Sequence, residues 1–280
     1  NLGQYISGAI LFDETVRQQT SDGIPFVEAV VKAGIIPGIK VDLGKSDLTN
    51  FPGEEVTLGL DDLRERLQEY AGMGLRFAKW RAVIPIGPGL PTDTGIATNM
   101  QILARYAALC QEAGLTPIVE PEVLMDGDHS LERCREVTEK VLHGLFEQLY
   151  RYRVQLEGLL LKPNMVLAGI DRQEQPKPEA VAAATVNCLL STVPAAVPGI
   201  AFLSGGQSSE VATEHLNLMH RHFRDRLPWA LTFSFSRAIQ LPALEIWQGE
   251  AGNKAAAQTE LLARAKANGA ARVGEFGLGY

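Results

Sequence analysis

Seven short apolar runs alternate with segments of helical period, and this alternation constrains the fold of the 280 residues more than any other feature. The runs lie at 6–12 (ISGAILF), 34–42 (GIIPGIKVD), 75–84 (LRFAKWRAVI), 115–123 (LTPIVEPEV), 156–165 (LEGLLLKPNM), 199–204 (GIAFLS) and 229–236 (WALTFSFS). Helices are predicted between and after them, over 25–33, 59–72, 94–113, 129–150, 178–191, from Gly206 to His220, and over 254–268. Leu60, Leu63 and Leu67, for example, keep to one helical face, while proline and glycine at 85–91 mark a loop. Strand, crossover helix and next strand, repeated, predict a parallel sheet with right-handed crossovers. The expected architecture is an α/β barrel over 1–280 as a single domain, one strand short of closure; a doubly wound sheet is the alternative.

The runs end on polar residues. Lys40, Lys79, Glu120, Glu122, Lys162, Ser204 and Arg237 fall at or near their carboxyl ends, and in a parallel barrel those ends share the face where catalysis is found. Lys162 closes the most apolar run and is followed at once by Pro163. Burial disfavours an ammonium, so an amine there is expected to titrate low and to act as a nucleophile toward ketones and aldehydes. The alternative is a lysine whose stem packs while its head reaches water. Glu120 and Glu122, two apart on a strand, share a face. Either they raise one another's pKa into the range of an acid/base catalyst, or they form ion pairs with Lys79 or Lys162. Lys79 close to Lys162 would lower the pKa of either amine. Ser204, Gly205 and Gly206, read as opening a helix, offer backbone N–H groups to a phosphate, and Arg237, read as ending the next strand, adds a bidentate contact. Lys40 and Arg81 could hold a second anion.

Composition narrows the partners. A net charge of −7 argues against nucleic acid as the main partner, and 46% hydrophobic against 21% charged residues describes an ordinary globule. No run approaches the roughly 18 uninterrupted apolar residues of a membrane span. Cys110, Cys134 and Cys188 have no metal-like spacing and are expected as buried thiols in a reducing compartment. The five histidines are expected in surface or capping roles. The chain begins at Asn1 without methionine and is read as a fragment.

The motifs GIKVD around Lys40, FAKWR around Lys79, PIVEPEV around Glu120, LLLKPNM around Lys162, FLSGGQS around Ser204 and WALTFSFSRA around Arg237 resemble, in order and over nearly the whole chain, the class I (Schiff-base) fructose-bisphosphate aldolases. The resemblance implies a TIM (β/α)8 barrel with seven of its eight strands in this chain, the first being absent. It implies reversible cleavage of fructose 1,6-bisphosphate, with Lys162 forming the Schiff base, Glu120 the acid/base, and Glu122 and Lys79 assisting. Ser204, Gly205, Gly206, Ser234 and Arg237 would bind one sugar phosphate, with Lys40 and Arg81 toward the other. No metal or cofactor is implied, since a protonated imine serves as the electron sink. A sugar bisphosphate is the expected partner, with neither nucleic acid nor membrane, in a homotetramer. The setting is cytoplasmic, with a plastid left open. Two departures stand out: Ser236 occupies a position where the family usually has glycine, and the segment ending in Tyr280 is unlike the family's tail. A transaldolase-like Schiff-base enzyme and a non-catalytic scaffold on the same fold are the competing readings.

Overall fold

A computed structural model describes residues 1–277, so Tyr280 lies outside the described residues. Strand β1 (Gly8–Leu11) is followed by a single helical turn, α1 (Asp13–Val16), and by α2 (Phe26–Lys32). Then come β2 (Ile36–Lys40), a hairpin of β3 (Lys45–Asp47) and β4 (Glu55–Thr57), and α3 (Leu63–Gly72). Three strand–helix units follow: β5 (Phe77–Ile84) with α4 (Asp93–Glu112), β6 (Thr116–Val123) with α5 (Leu131–Arg151), and β7 (Leu160–Leu161) with α6 (Pro178–Thr192). Finally β8 (Gly199–Phe202) precedes α7 (Ser209–Phe223), and β9 (Ala230–Phe233) precedes α8 (Arg237–Trp247) and α9 (Lys254–Ala271).

Seven strands form one wholly parallel sheet in the order β1-β2-β5-β6-β7-β8-β9, as the alternation predicts. The sheet curls, so that residues of β1 and β9 line the same cavity. Because both faces of such a sheet are covered, its strands are apolar nearly throughout. Ile39, Trp80, Val119, Leu161, Ile200 and Phe202 are all fully buried. The helices add one apolar stripe each, among them Leu63 and Leu67 of α3, Met100 and Leu103 of α4, and Leu142 and Leu145 of α5. Thr92 and Ser130 cap α4 and α5 by accepting from the N–H groups of Gly95 and Arg133, a contact worth about 1 kcal/mol each.

Three local features depart from the sequence reading. The run at 156–165 contributes only two strand residues, because Leu156–Gly158 is a 3-10 turn, although Lys162 N–H still donates to Val119 O at 2.8 Å. The loop around Phe51 is flanked by the β3–β4 hairpin, whose first strand is exposed and polar and so has no apolar signature. Arg237 does not end a strand; it is the first residue of α8, a helix disguised in the sequence by Pro242. The three cysteines are free and buried.

Candidate active site

Strand register builds the site. Lys40 stands opposite Lys79 across β2 and β5, and Arg81 opposite Glu120 across β5 and β6. Leu161 is opposite Val119, which sets the next residue, Lys162, beside Glu120. Lys79, Glu120, Glu122 and Lys162 are all buried, in contrast to the usual exposure of charged side chains.

Glu120 lies between two amines. Its Oε1 is 3.1 Å from Lys162 Nζ, and its Oε2 is 3.1 Å from Lys79 Nζ. The Oε2 contact is one of charge, without an aligned hydrogen bond. Burial pushes the Lys162 amine below the usual lysine range; Glu120 opposes that shift and the Lys79 ammonium reinforces it. Glu122 is engaged elsewhere, accepting from Arg81 Nε at 2.5 Å. The two carboxylates therefore each face a cation.

At the outer side of this cluster lies Asp42, only 7% exposed and passed over in the sequence reading although it closes the GIKVD motif. Lys40 Nζ is 2.7 Å from Asp42 Oδ1 and also donates to its backbone carbonyl, and Lys79 Nζ is 3.5 Å from Oδ2. The signal for it was the period of two, which puts residues 40 and 42 on one side of the chain.

Across the same cavity are Ser204, Gly205, Ser234, Ser236 and Arg237. β8 ends at Phe202 and α7 starts only at Ser209, with Ser208 as its cap, so the Ser-Gly-Gly stretch is a turn ahead of the helix, not its first turn. Gly205 and Gly206 have φ of +63° and +95°, conformations that a side chain disfavours. A Cβ on Gly206 would lie 4.0 Å from Arg237 Nη2, so the guanidinium sits against this turn. The opening of α8 at Arg237 adds N–H groups that lack intrahelical partners and the positive end of a helix dipole. Ser236, at φ −97°, has a backbone open to any residue, so glycine is not required there.

Two supports were not visible in the sequence. Asn164 accepts from Val123 N–H at 3.0 Å and donates to Thr138 Oγ1 and to the Met165 carbonyl, fastening the end of β6 to the segment after Lys162. Gln207 donates to Ser204 O at 2.9 Å and contacts His215 Nδ1 at 2.6 Å. His215 is buried, not at the surface, and burial pushes its imidazole down to about 4, so it is neutral near pH 7. The Ser204–Gly206 turn is thereby tied to α7.

The arrangement can form an imine at a buried amine, with a proton carrier in contact, between two cationic clusters. A family model described as fructose-bisphosphate aldolase class-I matches residues 1–279. A probable fructose-bisphosphate aldolase class 1 of Xanthomonas campestris pv. campestris is 57% identical over 276 residues, 98% of this chain and 82% of that protein. The cytoplasmic isozyme of fructose-bisphosphate aldolase from Spinacia oleracea is 50% identical over 97% of this chain and 76% of its own length. A solved fructose-bisphosphate aldolase from Plasmodium falciparum, in complex with TRAP and a small molecule inhibitor, superposes with a TM-score of 0.96 at 48% identity, covering 99% of this chain and 80% of that one.

Proposed function

This chain belongs to the class-I fructose-bisphosphate aldolase family and is a fructose-bisphosphate aldolase, a lyase; on that premise we propose that Lys162 carries the reaction as a Schiff base. The observation that supports this is the contact of the buried Lys162 amine with Glu120, which also faces Lys79. An amine whose protonation burial disfavours attacks the C2 ketone of fructose 1,6-bisphosphate; Glu120 takes the proton that the nitrogen sheds and passes it to the carbinolamine hydroxyl, which leaves as water. The iminium then accepts the electron pair of the C3–C4 bond as the C4 hydroxyl passes its proton to the Glu120 carboxylate. Glyceraldehyde 3-phosphate departs, leaving an enamine on Lys162. Protonation at C3 and hydrolysis of the imine release dihydroxyacetone phosphate and restore the amine.

Lys79 lies against the second oxygen of Glu120, and Arg81 pairs with Glu122. The Ser204–Gly206 turn, Ser234 and Arg237 hold one phosphate, and Lys40 and Arg81 the other, where each exchanges its present carboxylate for the ligand. The names of plant relatives support a cytosolic setting, and the family likeness supports a homotetramer acting in glycolysis and gluconeogenesis. Borohydride reduction in the presence of fructose 1,6-bisphosphate, followed by peptide mapping, tests the reading. The adduct is expected on Lys162 and absent after Lys162→Met; a label on Lys79 or Lys40 alone would overturn it.

A further inference from the structure

Lys40 and Lys79 are direct neighbours across β2 and β5, an arrangement of like charges that costs stability unless something lies between them. Asp42 supplies it. One carboxylate oxygen is 2.7 Å from Lys40 Nζ, the other is 3.5 Å from Lys79 Nζ, and the latter oxygen also accepts from Arg81 N–H at 3.4 Å. That backbone contact adds a restraint on the carboxylate from the β5 side. Lys79 therefore has an anion on each side, Asp42 outward and Glu120 inward.

We infer that Asp42 is a positioning residue of the cleavage reaction, one that holds Lys79 Nζ between itself and Glu120 and restrains Lys40 at the mouth until a phosphate competes for it. This rests on the reading of Lys162 and Glu120 above. The charged groups that face the cluster are Lys40 from β2, Lys79 and Arg81 from β5, Glu120 and Glu122 from β6 and Lys162 after β7. With Asp42 uncharged and Glu122 held by Arg81, Glu120 is the one carboxylate left in contact with Lys79 and Lys162. It is then drawn toward Lys79, and the unprotonated state of the amines, Lys162 included, becomes easier to reach.

The test compares Asp42→Asn and Asp42→Glu with the unsubstituted protein, reading turnover, KM and the pH at which borohydride trapping on Lys162 is half complete. Asp42→Asn is expected to lower kcat about tenfold, within the range for a lost charge-assisted contact, and to change KM by less than that. Its trapping midpoint is expected to move about half a pH unit toward acid, because a nearby negative charge has gone. Asp42→Glu, which keeps the charge, is expected to retain the midpoint and recover part of the turnover. Unchanged turnover and midpoint in Asp42→Asn would overturn the role of Asp42, as would equal losses in both variants with no shift, which mark a merely structural residue. If Asp42→Asn does not fold, Asp42→Ser, which also removes the charge, decides by the same readout: lowered turnover with the midpoint moved toward acid supports the role, and an unmoved midpoint overturns it. Absence of any label on Lys162 in the unsubstituted protein would overturn the parent reading along with this one, whereas normal labelling with identical profiles overturns this one alone.

Discussion

Glu120 touches both buried amines and keeps one oxygen without an aligned donor, the state required of a group that must take up a proton in one step and return it in another. Glu120→Gln preserves its volume and removes that capacity. Turnover is expected to fall about 10²-fold or more, the lower end of what acid–base catalysis contributes. Steady-state kinetics on fructose 1,6-bisphosphate measures it, and an unchanged rate would take the proton-transfer role away from Glu120. Lys162 and Glu120 could be picked out in the sequence because each interrupts an apolar run, where a charge has an energetic cost and so calls for a reason. Asp42 was passed over because, two residues after Lys40, it also reads as the polar end of a strand. The link from Gln207 to His215 is a contact between a turn and a helix, and its spacing of eight residues matches no local pattern.

At the scale of elements, the site proposed for a phosphate is made by a turn and a helix start. The Ser204–Gly206 turn has backbone conformations suited to glycine, and α8 opens beside it with Arg237 as its first residue. The sequence reading took the Ser-Gly-Gly stretch as the opening of a helix; the helix that opens at Arg237 is α8, whose existence Pro242 conceals. The short β7 was overestimated for a related reason: leucine-rich sequence fits a buried 3-10 turn as well as a buried strand, and only the pairing with β6 distinguishes them. Arg237→Ala removes the side-chain contact but leaves the N–H groups of turn and helix in place. Affinity for ligands with a phosphate at that end is expected to weaken about 10- to 150-fold, equivalent to 1.5–3 kcal/mol, with little effect on unphosphorylated ligands. Titration calorimetry with both ligand types checks this, and equal losses for the two would mean that Arg237 has a structural role instead.

For the whole molecule, a seven-stranded parallel sheet followed from the alternation of strand and helix, which left a doubly wound order open; the sequential pairing of the strands is what the structure adds. The same topology has a consequence for the 280-residue chain in solution. Among the described residues β1 pairs with β2 and β9 with β8, so each has one side without a strand partner, and both open sides border the apolar cavity. Ser7 O accepts from Ile36 N–H on the β2 side, so by the period of two Ala9 and Leu11 also turn their backbone groups toward β2, while Gly8 and Ile10 turn theirs to the open side. Unpaired groups along an apolar strand are a template for another chain. The 280-residue chain is therefore expected to self-associate progressively with concentration, beyond any discrete oligomer, when followed by light scattering. Ile10→Pro removes an outward N–H without taking a bond from the β2 ladder, as an edge strand permits. That variant should associate less while unfolding at the same denaturant concentration; association unaffected by Ile10→Pro would show that this edge is not the contact.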